Sequence, residues 1–431
     1  MAQVVGEAMS TESGAVETIW RIEAGRLIAG LARFTGDLGV AEELAQDAFV
    51  VALEQWPVSG IPPNPGGWLM TTAKRRAIDQ FRREAVHRKA VVALGTQPIP
   101  AETDRPDAVI DEGDDPIGDD LLRLIFTACH PVLPREARAA LVLRCVAGLR
   151  TDEIARAFLL TEPQAGQRIS RAKKALRDKH IRFELPDPEA LALRVGSVLE
   201  VVYLVFNEGW SATAGDDLQR PALIDEAVRL SRLMSELVPD VADVHGLQAL
   251  LELTAARRHT RTDSAGRPVL LADQDRTRWD RLLIRRGLAA LDRAHTGAGP
   301  VGPYTVQAAI AACHVRAGTA ADTDWARIVE LYDVLVQVWP SPVVELNRAV
   351  ALAQADGPAA GLAALDARIP PGTLTHYALL AAARGDFLRR LGHTAAAVAA
   401  FTEAAGLTRN DAERDQYLRR AGELGAGPSS P

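Results

Sequence analysis

Two stretches of this 431-residue chain place basic side chains at helical spacing beside groups that stack on, or hydrogen-bond to, flat polar rings. In the first, WLMTTAKRRAIDQFRR from Trp68 to Arg83, the residues Trp68, Thr72, Arg75, Asp79 and Arg82 share one helical face, with Arg76 and Arg83 beside it. Met70, Ala73, Ala77 and Phe81 form an apolar stripe for burial. Between Trp68 and Lys89 seven basic residues stand against two acidic ones, a net of +5. Such a ridge neutralises phosphates, and the indole at its start gives a stacking surface for a base drawn out of a duplex. Just upstream, Pro62-Pro63-Asn64-Pro65-Gly66-Gly67 is a stiff loop suited to holding such a base at the helix N-terminus. The same charges would also keep a plain surface helix soluble, with Asp79 pairing Arg75 or Arg83 one turn away.

The second stretch reads as a helix-turn-helix. TDEIARAF (Thr151–Phe158) opens on a capping Thr151 with Asp152 and Glu153 in the first turn, where they complement the helix dipole. Leu159-Leu160 makes the turn. TEPQAGQRISRAKKALRDK (Thr161–Lys179) then starts with Thr161 and Gln164 at capping-box spacing and Pro163 in the first turn. Ile169, Ala172 and Leu176 face inward, while Gln164, Gln167, Arg168, Arg171 and Lys174 face out. Gln matches the adenine edge and Arg the guanine edge in a major groove, and later Lys and Arg residues take phosphates. From Thr161 to Arg182 the balance is again seven basic to two acidic residues, a net of +5.

Other chemistry is sparsely provided for. Cys129, Cys145 and Cys313 lie far apart without C-x-x-C spacing, and Cys129 next to His130 reads as a helix end rather than a metal site. Glu208 and Asp273 could suggest a paired-carboxylate site, but no spacing brings them together, and helix-end hydrogen bonding or exposed capping is the expected role. No catalytic residue, metal-ligand set or cofactor motif is assigned, and the chain is read as a non-enzyme without cofactors.

Apolar residues recur at helical spacing almost throughout, with no run of strand alternation, so the fold class is all-α. Five blocks are expected: a helical domain over 15–88, a linker over 89–118, a second helical domain over 119–182, a helical extension over 183–300 and repeats over 301–424. The linker is acidic: nine acids and one Arg from Glu102 to Asp120 give a net of −8, implausible inside a compact domain. Within the last block Gly385, Gly392, Ala397, Phe401 and Ala404 fall at tetratricopeptide spacing, with a weaker partner around Leu346, Gly357 and Leu362. The chain as a whole carries −7, so contact with nucleic acid must come from the two local basic faces rather than from bulk charge. Neither a signal segment nor an apolar run of about 18 residues occurs. Together with the sparse cysteines this gives the expectation of a soluble, cytoplasmic protein with no membrane partner.

Two basic reading helices about 90 residues apart, joined by an acidic linker, resemble the extracytoplasmic-function sigma factors. AEELAQDAF (Ala41–Phe49) is similar to the family's polymerase-docking helix, with Glu43, Gln46, Asp47 and Phe49 on its motif; in helical projection Leu44, Ala48 and Val51 form the apolar side. Asn64-Pro65-Gly66-Gly67-Trp68-Leu69 and the following AKRRAIDQFRR resemble the minus-ten segment. That implies minus-ten contacts from Asn64, Trp68, Thr72, Arg75, Arg76, Asp79, Arg82 and Arg83. Leu141–Leu176 resembles the family's region 4, implying minus-35 contacts from Thr161, Gln164, Gln167, Arg168, Arg171 and Lys174. VVYLVFNEGW (Val201–Trp210) and LADQDR (Leu271–Arg276) resemble segments of the subgroup with an appended tetratricopeptide-like domain. The resemblance implies core RNA polymerase and promoter DNA as partners, and the repeats imply a regulatory protein or peptide. Two other readings compete. An operator-binding helix-turn-helix regulator would need neither the Glu43–Phe49 helix nor the Trp68 segment, and a tetratricopeptide adaptor would need neither basic helix.

Overall fold

The computed structural model describes residues 2–93, 116–158, 160–212, 214–215, 218–296 and 301–425. It is all-α apart from a pair of two-residue strands, and it divides into two compact units, Met1–Val201 and Val202–Pro431. The expected acidic linker falls mostly on 94–115, outside the described residues.

In the first unit, helices α1 (Ala2–Thr35), α2 (Leu38–Ser59) and α3 (Pro65–Ala93) pack on one another. Their seam is built from Ala24, Leu27, Ile28 and Leu31 of α1, Ala41, Leu44, Ala45 and Ala48 of α2, and Leu69, Ala73 and Ala77 of α3, all buried. So many alanines bring the backbones close at little rotamer cost. Gly36, at φ +71, ends α1, and Asp37 caps α2 by accepting from the N–H groups of Gly39 (2.6 Å) and Val40 (3.1 Å). Helix α3 continues to Ala93, into the stretch that composition alone assigns to the linker.

Helices α4 (Pro116–Ala128), α5 (Arg135–Leu141), α6 (Thr151–Ala157) and α7 (Glu162–Asp178) follow, with a π-turn over Val142–Val146. Phe126, Leu141, Leu143 and Ile154 fill their core. Helix α1 lies against the π-turn at Gly25, where a Cβ would come within 2.9 Å of the Val146 carbonyl oxygen. Helix α8 (Pro188–Trp210) follows, and its residues up to Val201 belong to the first unit. There Ser197 Oγ donates to the Cys129 carbonyl at 2.8 Å, and Arg194 donates to the Phe126 carbonyl at 2.8 Å. Cys129 is thus the satisfied helix end that its sequence setting implies.

The second unit continues through α9 (Pro221–Leu237), α10 (Ala242–Ala255), α11 (Arg281–Thr296), α12 (Pro303–Arg316) and α13 (Trp325–Val338). It closes with α14 (Pro342–Ala355), α15 (Pro358–Arg368), α16 (Ala378–Arg390), α17 (Thr394–Leu407) and α18 (Asp411–Gly425). From α12 onward each helix packs on its successor, the one-dimensional order of a helical-repeat array. The tetratricopeptide spacing works sterically: a Cβ on Gly385 would lie 3.1 Å from the Phe401 ring, so glycine lets α16 and α17 close over that buried phenyl. Strands β1 (Ala214–Gly215) and β2 (Arg409–Asn410) pair in parallel, tying the unit's beginning to its end.

Candidate nucleic-acid and polymerase interface

The first basic ridge stands on α3, and the loop before it is held by its own side chains. Asn64 Oδ1 accepts from the Gly67 N–H at 2.9 Å, so Asn64 caps the helix as well as lying at the expected base pocket. A Cβ on Gly67 would meet the Asn64 side chain at 2.8 Å, which accounts for the glycine. Trp68 is half-buried, edge-on to Trp56 with ring centroids 5.3 Å apart; its other parts remain open to solvent. Thr72 is half-buried, while Arg75, Arg76, Asp79, Arg82 and Arg83 are all exposed. Ala73 and Ala77 are fully buried; Met70 and Phe81 cover the seam's edge, Phe81 lying 6.1 Å from the Phe34 ring. Arg83 Nε donates to the Asp79 carbonyl at 3.3 Å.

On α7 the capping box forms in full. The Gln164 N–H donates to Thr161 Oγ1 at 3.4 Å, and the Thr161 N–H donates to Gln164 Oε1 at 2.9 Å. Ile169, Ala172 and Leu176 are buried; Gln164, Gln167, Arg171 and Lys174 are exposed and Arg168 is half-exposed. Four of these residues, Gln164, Gln167, Arg168 and Arg171, line a surface groove of about 540 Å3 whose far wall is the α4–α5 turn at Val132 and Pro134. A helix with this face free fits the ~12 Å width of a major groove.

Helix α2 carries the motif that the sequence resemblance assigns to polymerase docking. Glu43 and Asp47 are exposed and Gln46 half-exposed, whereas Phe49 stacks on Trp20 with centroids 4.6 Å apart and helps join α1 to α2. Asp47 pairs with Arg76 of α3 at 2.9 Å, so α2 and the ridge share an ion pair at the surface.

The inner side of α2 holds the first unit together. Glu42 is buried, with one oxygen accepting from Arg144 Nε at 2.7 Å and the other from Lys173 Nζ. Asp37 pairs with Arg177 at 2.7 Å. Burial raises the Asp37 pKa, but the Arg177 hydrogen bond and charge and the two capping N–H groups outweigh it, leaving the carboxyl below its usual range. Trp20 Nε1 donates to the Gly148 carbonyl at 2.9 Å, Arg21 pairs with Glu153, and Arg33 with Asp120 at 3.1 Å. The two halves of the unit, α1–α3 and α4–α7, are therefore closed on each other, with the second half of α7 fastened to the start of α2.

Sequence reasoning passes over Glu42, Asp37, Arg144, Lys173 and Arg177. One signal was present: Glu42, Ala45 and Ala52 recur on the buried side of α2, so a carboxylate there demands a cationic partner. Nothing local says which one.

A family model for sigma-70 region 2 matches residues 21–86, and one for sigma-70 region 4 matches 123–176; the first contains the α3 ridge, the second the α7 face. Over 180 residues the chain is 28% identical to the ECF RNA polymerase sigma factor SigL of Mycobacterium tuberculosis, covering 41% of this chain and 94% of that one. The chain belongs to the extracytoplasmic-function sigma factors. A probable ECF RNA polymerase sigma factor of the same species, SigI, is 28% identical over 168 residues, 38% of this sigma factor and 56% of its own length. The extension is shared too: an uncharacterized protein of Rhizobium meliloti is 39% identical over 423 residues, 97% of this chain and 98% of its own. Residues 194–295 match a family of unknown function (DUF6596). No solved structure gives a significant match. As a sigma factor, the protein serves transcription initiation through core RNA polymerase and promoter DNA. Among the described residues no helix of this sigma factor is long and apolar enough to cross a membrane.

Proposed function

We propose that the sigma factor divides its work between two exposed basic faces. The α3 face, from Trp68 to Arg83, takes the opened minus-ten element: Arg75, Arg76, Arg82 and Arg83 meet phosphates, and Trp68 with the Asn64 loop receives a base. The α7 face reads the minus-35 duplex through Gln164, Gln167, Arg168 and Arg171, with Lys174 on phosphate and Thr161 at the helix start. Glu43, Gln46 and Asp47 of α2 dock on a basic surface of core polymerase, and Phe49 keeps that helix seated. Promoter opening is then driven by binding alone.

The observation that carries this reading is the closure of α7 on α2 through Glu42, Arg144 and Lys173. Elements about 25 base pairs apart are separated by roughly 85 Å of duplex, at about 3.4 Å per base pair. With α7 in ion contact with α2, on which α3 packs, the α3 and α7 faces cannot serve both elements at once. The closed unit is therefore a free state, and polymerase, by binding the open form more tightly, draws the two halves apart. The run of acids between the two halves offers a basic channel of the polymerase the negative charge that nucleic acid would. The extension regulates this step through a protein or peptide held on its helical repeats.

Copurification with core polymerase followed by run-off transcription from genomic fragments tests the reading. Stable binding and new discrete start sites are expected. Failure of polymerase binding by both the full chain and an extension-truncated form would leave the polymerase-independent regulator as the better account.

A further inference from the structure

In the second unit, Arg257 and Arg261 follow α10 and both guanidiniums lie over the Trp210 ring, with Cζ atoms 4.7 and 4.3 Å from its centroid. Their neighbours are neutralised: Arg220 by Glu208, Arg232 by Glu252, Arg258 by Asp225 and Arg420 by Asp386. Among the described residues neither Arg257 nor Arg261 forms an ion pair. Among the described residues Arg261 donates to neutral acceptors: the Trp210 carbonyl, Ser211 Oγ and the Gln219 side-chain amide oxygen. Both arginines line a cavity of about 420 Å3 whose walls include Leu346, Val350, Leu379 and Phe387.

The acids of that cavity are already engaged. Asp386 accepts from Arg420 at 2.7 Å and from Arg389 at 3.0 Å, and Glu413 accepts from Thr408 Oγ1 at 2.9 Å. Burial pushes Arg257 down to about 9, with the Arg261 charge adding to it. Burial likewise pushes Arg261 down to about 10, against the pull of Glu413. Two desolvated cations stacked on one indole ring cost stability unless an anion joins them.

We propose that this cavity binds a monocarboxylate with an apolar body, its carboxylate held by the guanidinium forks of Arg257 and Arg261 and its body on the aliphatic and phenyl walls. Bidentate N–H donors suit a planar carboxylate. Charge selects the valence: Arg257, Arg261 and Arg420 against Asp386 and Glu413 leave the lining at +1, which one carboxylate balances and a dianionic phosphate overshoots. Shared lining residues, Asn347, Leu379 and Glu413 among them, join this cavity to a larger one of about 790 Å3 edged by Tyr203, Tyr332, Trp339 and Tyr377. That length favours the free C-terminus of an extended peptide over a compact acid. Such a site deepens the regulatory reading of the extension and rests on it for its consequence. Its occupancy, however, is measurable on the chain without polymerase, so failure there leaves the sigma role intact.

The experiment is calorimetric titration of the full chain with an N-acetylated hexapeptide mixture ending in Leu or Phe, as free acid and as C-terminal amide. Octanoate and 3-phenylpropanoate serve as small acids, and inorganic phosphate as competitor. Saturable binding of the free-acid peptide, at least tenfold weaker on amidation, is expected and names a peptide terminus. Binding of the small acids without the peptide supports the same site with a small-molecule source. No binding, equal binding of the amide, or equal competition by phosphate overturns the proposal. Arg257→Gln and Arg261→Gln should each weaken binding at least tenfold while leaving the ligand-free melting temperature unchanged or higher. A lower melting temperature with binding intact makes both arginines structural and overturns it as well. Should Arg261→Gln fail to fold, Arg261→Lys keeps the charge without the fork and carries the same binding expectation.

Discussion

Glu42 accepts from Arg144, 102 residues further along the chain, at 2.7 Å, with side-chain exposures of only 4% and 15%. Lys173, 16% exposed, takes the other carboxylate oxygen, so one buried acid on α2 answers two cations, one from the π-turn and one from α7. A buried carboxylate between two cations is costly to break from the acidic side and cheap to trim from the basic one.

That asymmetry is testable. Glu42→Ala strands two buried cations and should lower stability by roughly 3–5 kcal/mol, whereas Lys173→Met, which keeps the Arg144 pair, should cost well under half of that. Urea unfolding of residues 1–201 or of the full chain measures both. An unchanged midpoint for Glu42→Ala would show that the closed contact is not the solution state.

On α3, Arg75 and Arg82 are exposed on the face assigned to phosphate. Arg75→Ala or Arg82→Ala should weaken run-off initiation more than core polymerase binding, and each should reduce the salt slope of promoter binding by about 1. Equal collapse of polymerase affinity would reverse the roles given to α2 and α3.

For α7, Arg168→Ala should relax discrimination at one minus-35 base pair by about 1–3 kcal/mol, and Arg171→Ala should do the same or weaken all sequences evenly if it contacts phosphate. A binding-site selection experiment distinguishes the two outcomes. A wild-type preference from Arg168→Ala would remove it from the reading set.

The place of a truncation matters. Val195, Val198, Leu199 and Val201 are buried in the first unit, each worth about 1.5–3 kcal/mol if exposed. A cut after Asp187 should therefore lower the melting temperature sharply, and a cut after Val201 should not. Only the longer form is a fair test of the extension: gain of transcription would mean masking, and loss would mean support.

His314 gives the second unit an acid-sensitive element. Burial, then the charges of Arg257 and Arg276, lower it to about 4; its Nδ1 has no partner among the described residues, and its ring is edge-on to Trp325 at 5.3 Å. The unfolded chain takes up a proton near 6.5 and the folded chain does not. The histidine's contribution is thus complete above 6.5 and is lost as the pH falls towards 4, by about 3 kcal/mol at most. His314→Phe should flatten the acid limb of the melting curve between pH 7 and 4.5; an unaltered limb would place the sensitivity elsewhere.

Much of this was readable in order along the chain. Helical periodicity separated Ala73 and Ala77 from Arg75 and Arg82, the Thr161–Gln164 box began the reading helix, and the Gly385–Phe401 spacing marked a repeat, because each depends on residues within a few turns of one another. The tertiary structure alone decided that α7 closes on α2, that Phe49 stacks on Trp20 while Asp47 stays exposed, and that Arg257 and Arg261 converge on Trp210 with no ion pair among the described residues. The physical reason is common to all three. A helix tells which of its faces will be buried, but a buried charge or ring acquires its partner only when the chain closes over tens to more than a hundred residues, and sequence spacing carries no record of that distance.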